Sequence, residues 1–141
     1  MKVKVKVPAT SANLGPGFDV AGLALTLYNT FTFELNEGGL NITGCPTQFC
    51  NEENLTYQAF SQAAQSCGLD FKGVNIHCES QVPYTRGLGS SSTCIVAGIV
   101  GAFAFKDKTD DRQEILELAT KIEGHPDNVA PAIFGGLTVS V

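Results

Sequence analysis

Apolar and polar residues alternate strictly from Met1 to Val7, with valines and lysines taking turns. Successive side chains of a β-strand point to opposite faces of a sheet, so this pattern predicts a strand with its valines inward. We expect Pro8 to end that strand. A polar, glycine-rich loop at 9–19 follows, and three apolar runs then predict further strands at 20–28, 30–35 and 40–43.

Helical spacing begins after Asn54, where apolar and small residues recur three and four positions apart. The Asn54 amide suits a helix N-cap, and Gly68 supplies the residue that commonly ends a helix in a left-handed conformation. The pattern therefore predicts a helix between these two residues. A strand at 73–78 is expected to follow it.

A second helix is expected to end at Phe105, and its residues 93–105 are apolar nearly all round, which is typical of a central buried helix. Asp110 and Gln113 have the spacing of a capping box, so a third helix is predicted from there to Gly124. A polar loop, a short apolar turn and a strand at 136–141 complete the pattern.

The size and charge of the chain narrow its function class. The 141 residues suit one domain, and we see no repeat or linker among them. The net charge of −5 argues against a nucleic-acid partner, which would require a basic surface. The chain has neither an apolar run long enough to span a membrane nor a signal peptide, so we expect no membrane partner and a cytoplasmic location.

The cysteines are odd in number and contain no C-x-x-C pair. We therefore expect neither a disulfide framework nor a zinc site. Cys67, Cys78 and Cys94 fall on predicted apolar faces, where buried and inert thiols are the ordinary interpretation.

A glycine- and serine-rich loop leads into the second helix. Gly87 and Gly89 permit close backbone approach to a ligand, and the serines that follow lie where a helix leaves its first N–H groups unpaired. The pattern predicts an anion site that cradles phosphate, although a plain turn before a buried helix is the alternative. The loop lacks the lysine of the common nucleotide P-loop, so another design is implied.

Two other polar segments carry candidate chemistry. Asn13 and Asp19 lie in the loop after the first strand, where they offer an amide and a carboxylate to a small polar ligand, or merely satisfy turn backbone. The segment 123–128 follows the third helix. Its Glu123 could hold Mg²⁺, and Asp127 with Asn128 could orient a hydroxyl nucleophile, unless the segment is only a helix stop and turn.

Together the segments 8–19, 83–92 and 123–136 resemble the homoserine kinase family, a branch of the galactokinase, homoserine kinase, mevalonate kinase and phosphomevalonate kinase (GHMP) superfamily. The resemblance covers nearly the whole chain in order and spacing. It implies an α+β fold with a mixed or antiparallel sheet and helices packed on one face. It also implies ATP-dependent phosphorylation of the side-chain hydroxyl of L-homoserine, a step of threonine biosynthesis, with ATP and Mg²⁺ as cofactors.

The resemblance assigns roles to individual residues of this chain. Asn13, Asp19, His125, Asp127 and Asn128 are expected to bind homoserine, with Asn128 facing the attacking hydroxyl. Ser91 and Glu123 are the expected metal ligands. The residues expected to wrap the phosphates are Pro83, Tyr84, Thr85, Arg86, Gly87, Leu88, Gly89, Ser90, Ser91, Ser92 and Thr93.

The chain departs from the family pattern at two points. Lys121 stands where many relatives carry the metal-binding glutamate, so Glu123 or Glu117 could take over the metal, or Lys121 could contact phosphate directly. We count Lys121 with Asn128 as candidate catalytic residues. The chain also stops near the length of the family's first domain, so residues 1–141 are expected to form the N-terminal ATP-binding domain without the C-terminal one. Homodimer formation remains open, as does the alternative of another GHMP-type kinase or a non-catalytic nucleotide-binding domain.

Overall fold

The computed structural model describes residues 1–12, 22–81 and 90–141. This part of the chain forms one sheet covered by helices. Its strands are β1 (Lys2–Ala12), β2 (Gly22–Asn36), β3 (Leu40–Thr43), β4 (Gly73–Ser80) and β5 (Thr138–Ser140). Its α-helices are α1 (Leu55–Cys67), α2 (Ser90–Phe105), α3 (Arg112–Glu123) and α4 (Val129–Gly135).

The five strands lie in the order β3-β4-β2-β1-β5. β3 and β4 pair in parallel, whereas the other three neighbouring pairs are antiparallel. The sheet is thus mixed, and the expected α+β class is confirmed. No α-helix in the described ranges combines the length and the apolar character needed to cross a bilayer.

One face of the sheet carries the core. The valines of β1 are fully buried and its lysines are exposed, as the alternation predicts. Phe31 and Phe33 of β2 and Ile76 of β4 extend the same apolar surface. The buried helix α2 packs against it, which confirms that helix as the central one.

The expectation that Pro8 ends the first strand is wrong. β1 continues through Pro8 to Ala12 and pairs with β2 along its whole length, with a shift of register between Pro8 and Thr10. On its other side β1 is paired with β5 only from Lys4 to Lys6. Proline lacks an N–H to donate, and it is tolerated here because it lies beyond the reach of β5 and beside an irregularity.

The two strands expected on either side of Asn29 are a single strand, β2. Asn29 is 2% exposed, yet it does not form a turn. Its side-chain oxygen accepts a 2.9 Å hydrogen bond from the N–H of Gln81, and its amide nitrogen donates one of 2.9 Å to the Thr93 hydroxyl. Tertiary partners therefore satisfy the side chain that the sequence pattern assigned to a turn.

The predicted helices are present. Asn54 caps α1 by accepting from the N–H of Tyr57, and Gly68 ends it with φ of 78°. Asp111, not Asp110, caps α3 by accepting from the N–H of Glu114. The short apolar turn expected after residue 128 is instead the helix α4.

α1 and α2 cross at close range. A Cβ built on Gly98 of α2 would lie 2.8 Å from both Ala59 Cβ and the backbone nitrogen of Phe60 on α1. Glycine is therefore required for this approach. The crossing fixes the N-terminal end of α2 relative to that of α1.

Candidate functional site

The N-terminal end of α2 is the centre of the candidate site. The helix begins at Ser90, which is half-buried, while Ser91 is exposed and Ser92 is fully buried. The first N–H groups of a helix have no partner within it, and the helix dipole adds partial positive charge there. The other predicted phosphate-binding residues, Pro83 to Gly89, lie outside the described residues.

Ser92 connects this helix end to the third sequence segment. Its hydroxyl donates a 3.3 Å hydrogen bond to a carboxylate oxygen of Glu123, the last residue of α3. The structure thus brings Glu123 to the start of α2, as a shared site requires. Ser91, the serine expected to bind metal, is exposed and lines a cavity described below.

Glu117 and Lys121 lie on other sides of α3. At 3.6 residues per turn, Lys121 is rotated about 160° from Glu123, and Glu117 about 120°. Both side chains are exposed, whereas Glu123 is half-buried. Of the three candidates, Glu123 is the one placed against the N-terminal end of α2. In the described ranges, no group of three or more histidine, cysteine or acidic side chains converges as a metal cage.

The Thr93 side chain has a structural role at the start of α2. Its hydroxyl donates to the carbonyl oxygen of Ser90 at 2.7 Å and accepts from the amide of Asn29 at 2.9 Å. Because a hydroxyl has a single proton to donate, the Thr93 side chain has none left for a phosphate oxygen. Asn29 was not recognised from the sequence as part of this arrangement.

The first and third segments also meet. The hydroxyl of Thr10, which is fully buried near the end of β1, donates a 2.8 Å hydrogen bond to the side-chain oxygen of Asn128. Asn128 directly precedes α4. Asn13 and Asp19, the other candidates in the first segment, lie outside the described residues.

His125 and Asp127 lie together at the surface between α3 and α4. The His125 Nδ1 atom is 3.9 Å from a carboxylate oxygen of Asp127, and their side chains are 52% and 31% exposed. This separation is too long for a hydrogen bond. Both side chains therefore remain available to a ligand.

Arg112 at the start of α3 is partly buried, and its guanidinium donates a 3.2 Å hydrogen bond to the carbonyl oxygen of Ile133 in α4. The side chain therefore ties two helices together.

A cavity of about 380 Å³ lies beside the N-terminal ends of α1 and α2. Its walls are mainly apolar and come from β2, β3, β4, both helix ends and the turn after β3. The lining residues are Phe31, Ile42, Cys45, Phe49, Glu53, Asn54, Leu55, Thr56, Ile76, Cys78, Ser90, Ser91 and Cys94. Its size and apolar character suit a planar aromatic group.

The cavity and the α2 N-terminus are adjacent because Ser90 and Ser91 belong to both. A ligand with an aromatic part and an anionic part would fit across them. Burial raises the pKa of the Cys78 thiol to about 12 and also raises the pKa of Cys94, so these two thiols of the cavity wall stay uncharged near neutral pH.

Comparisons with known proteins show what this chain is similar to. Residues 54–136 match the family model of the GHMP kinases N terminal domain. The homoserine kinase of Clostridium beijerinckii is 52% identical over 140 residues, which are 99% of this chain and 47% of that protein. The chain thus spans about half the length of this curated relative.

Solved structures show the same relationship. A candidate homoserine kinase from Listeria monocytogenes aligns with a TM-score of 0.81 and 37% identity, over 96% of this chain and 48% of that one. The homoserine kinase of Cytophaga hutchinsonii aligns with a TM-score of 0.80 and 28% identity, over 98% of this chain and 48% of that one. In both cases the matched part is about half of the solved protein.

Proposed function

The chain belongs to the GHMP kinase family, whose N-terminal domain it carries, and from this premise we propose that it forms the ATP-binding half of an enzyme that phosphorylates the side-chain hydroxyl of L-homoserine. The supporting observation is the shared edge of the apolar cavity and the α2 N-terminus at Ser90 and Ser91. The adenine of ATP occupies the cavity. Its phosphates lie at the start of α2, where the helix dipole favours negative charge.

Glu123 provides the carboxylate for Mg²⁺ in this proposal. The carboxylate and the Ser92 hydroxyl are both oxygen donors, the type that Mg²⁺ prefers, and they lie 3.3 Å apart at the phosphate end of the site. The ion would neutralise charge on the phosphates. Lys121 is exposed and lies about 160° around α3 from Glu123, so it is not assigned to the metal in this proposal.

Homoserine binds on the side of Asn128 and Asp127. The Thr10 hydroxyl donates its proton to the side-chain oxygen of Asn128. This contact does not use the N–H₂ group of the Asn128 amide, which can therefore face the substrate hydroxyl. Asp127, together with Asp19, attracts the substrate ammonium group. His125 lies beside Asp127. Positioning of this kind is the main contribution of a protein to phosphoryl transfer. We place the reaction in the cytoplasm.

The experiment uses this chain alone and joined to the C-terminal half of the Clostridium beijerinckii relative. We expect the chain alone to bind ATP without turnover. The joined protein should release ADP with L-homoserine, at roughly 1 to 100 turnovers per second, but not with mevalonate or without an acceptor. The isolated C-terminal half is the control.

Two results would contradict the proposal. Equal ADP release with mevalonate would indicate another substrate class within the family. Absence of ATP binding by a folded chain would remove the nucleotide assignment.

A further inference from the structure

Two cysteines meet beside the cavity, whose wall includes one of them, Cys45. The Sγ atoms of Cys45 and Cys50 are 3.1 Å apart, and both side chains are half-buried. A disulfide bond has an S–S length of about 2.05 Å, so the two sulfurs need to approach by only about 1 Å. Both thiols are free in the present structure.

The chain between them is folded to bring the sulfurs together. Residues Thr47–Phe49 form one turn of 3₁₀-helix, in which Phe49 N–H donates to the Pro46 carbonyl and Cys50 N–H to that of Thr47. The side-chain amide of Asn54 donates a 2.9 Å hydrogen bond to the Phe49 carbonyl, which ties the turn to the start of α1.

The turn is also fixed where it leaves β3. Gly44 has φ of 86°, and a Cβ there would collide with the backbone carbonyl of Cys78. The path into the turn therefore requires glycine. The closeness of the two thiols results from backbone contacts on both sides of the turn.

We propose that Cys45 and Cys50 form a reversible disulfide with a low-molecular-weight disulfide, such as glutathione disulfide, as the oxidant. This assignment does not depend on the proposed kinase function. It is a modification site at the cavity wall, because Cys45 and Phe49 line the cavity and both lie within the ring that the disulfide closes.

The reaction proceeds in two exchange steps. The Cys50 thiolate, after losing its proton to solvent, attacks one sulfur of the small disulfide and expels one small thiolate. Cys45 then loses its proton and attacks the Cys50 sulfur, which expels the second small thiolate. Two protein thiols and one small disulfide become one protein disulfide and two small thiols.

The environment of Cys45 supports this order of attack. Burial is the larger cause, and the hydrogen bond with Cys50 the next, of a rise in the pKa of Cys45 to about 11. A thiol that remains protonated is a poor first nucleophile. It is suited to resolve a mixed disulfide that already lies beside it.

The remaining three cysteines provide the contrast. Cys67 is 5% exposed in the core, and burial raises its pKa as it does for Cys78 and Cys94. We therefore expect these three thiols to stay reduced under mild oxidation. The experiment can therefore measure whether oxidation is confined to Cys45 and Cys50.

The test incubates the folded chain with glutathione disulfide and counts its thiols after denaturation. We expect two of the five thiols to be lost and to return on reduction with dithiothreitol. Cleavage after Glu37 and Glu52 isolates residues 38–52, which contain only these two cysteines. That peptide should be lighter by two hydrogen atoms.

Variants separate the exchange steps. Cys45→Ser should retain glutathione on Cys50, because no neighbouring thiol is present to release it. Cys78→Ala is the matched control and should form the disulfide as the unmodified chain does. Five persisting thiols, or a disulfide that includes any other cysteine, would overturn the proposal. The peptide mass of the unmodified chain decides the question even if a variant fails to fold.

Discussion

The Thr10 hydroxyl donates a 2.8 Å hydrogen bond to the side-chain oxygen of Asn128, a residue 118 positions further along the chain. Thr10 is fully buried where β1 passes its register shift, and Asn128 directly precedes α4. This contact joins the first and third sequence segments. It also fixes the orientation of the Asn128 amide.

Replacing Thr10 by valine keeps the shape of the side chain but removes its hydroxyl. The Asn128 oxygen then loses its donor in a partly buried place, so we expect the free energy of unfolding to fall by about 1 to 3 kcal/mol. Thr10→Ser keeps the hydroxyl and should cost less, about 1 kcal/mol for one methyl group. Urea unfolding of both variants checks this. A larger loss in the serine variant would mean that packing, not the hydrogen bond, matters here.

The contact between Asn29 and Thr93 should appear as an energetic coupling. Each of Asn29→Ala and Thr93→Val removes one partner of a buried 2.9 Å hydrogen bond. In a double-mutant cycle, we expect a coupling of about 0.5 to 3 kcal/mol in the free energy of unfolding. Asn29→Ala combined with Asn41→Ala, an exposed residue on β3, is the control and should be additive. Equal coupling in both cycles would refute a specific contact.

The close crossing of α1 and α2 makes Gly98 sensitive to substitution. Gly98→Ala would place a methyl group 2.8 Å from Ala59 Cβ, so we expect a loss of about 1 to 3 kcal/mol from overpacking. Intrinsic helix propensity alone would favour alanine by about 1 kcal/mol. The exposed Gly38, where a Cβ would meet only the Asn36 side chain at 3.9 Å, is the control for thermal unfolding. A stabilised Gly98→Ala protein would show that the helices can separate without cost.

The Mg²⁺ requirement should depend on Glu123. In the chain joined to a C-terminal half, Glu123→Gln keeps a hydrogen-bond acceptor for Ser92 and removes the charge. We expect the Mg²⁺ concentration for half-maximal turnover to rise and the maximal rate to fall. Titration of Mg²⁺ at saturating ATP measures both. Glu117→Gln, on an exposed side of α3, is the matched control.

The opposite pattern would reassign the metal. If Glu117→Gln raised the Mg²⁺ requirement while Glu123→Gln did not, the contact between Ser92 and Glu123 would be purely structural. Far-ultraviolet circular dichroism of both variants shows whether the fold is retained.

The periodicity of the chain determined most of its elements. Strict alternation in β1 predicted which residues face the core, because the side-chain period of a strand does not depend on what it packs against. The caps Asn54 and Gly68 predicted the limits of α1, since both act on backbone groups within the helix. The polar segments also contain Thr10, Ser92, Glu123 and Asn128, which the structure joins in two hydrogen bonds between distant parts of the chain.

At some positions the local sequence preference was overruled, and there only the tertiary structure decided the outcome. Pro8 and Asn29 are turn-forming residues by local preference, but one lies beyond the reach of β5 and the other has partners 52 and 64 positions away. The cavity is built from separate strands, helix ends and a turn, so no single stretch of sequence could reveal it. The contact of Glu123 with Ser92 and the meeting of Cys45 with Cys50 likewise depend on how helices and turns are oriented in space. Local sequence fixes the period and the ends of an element, whereas contacts between distant residues arise only when the elements pack together.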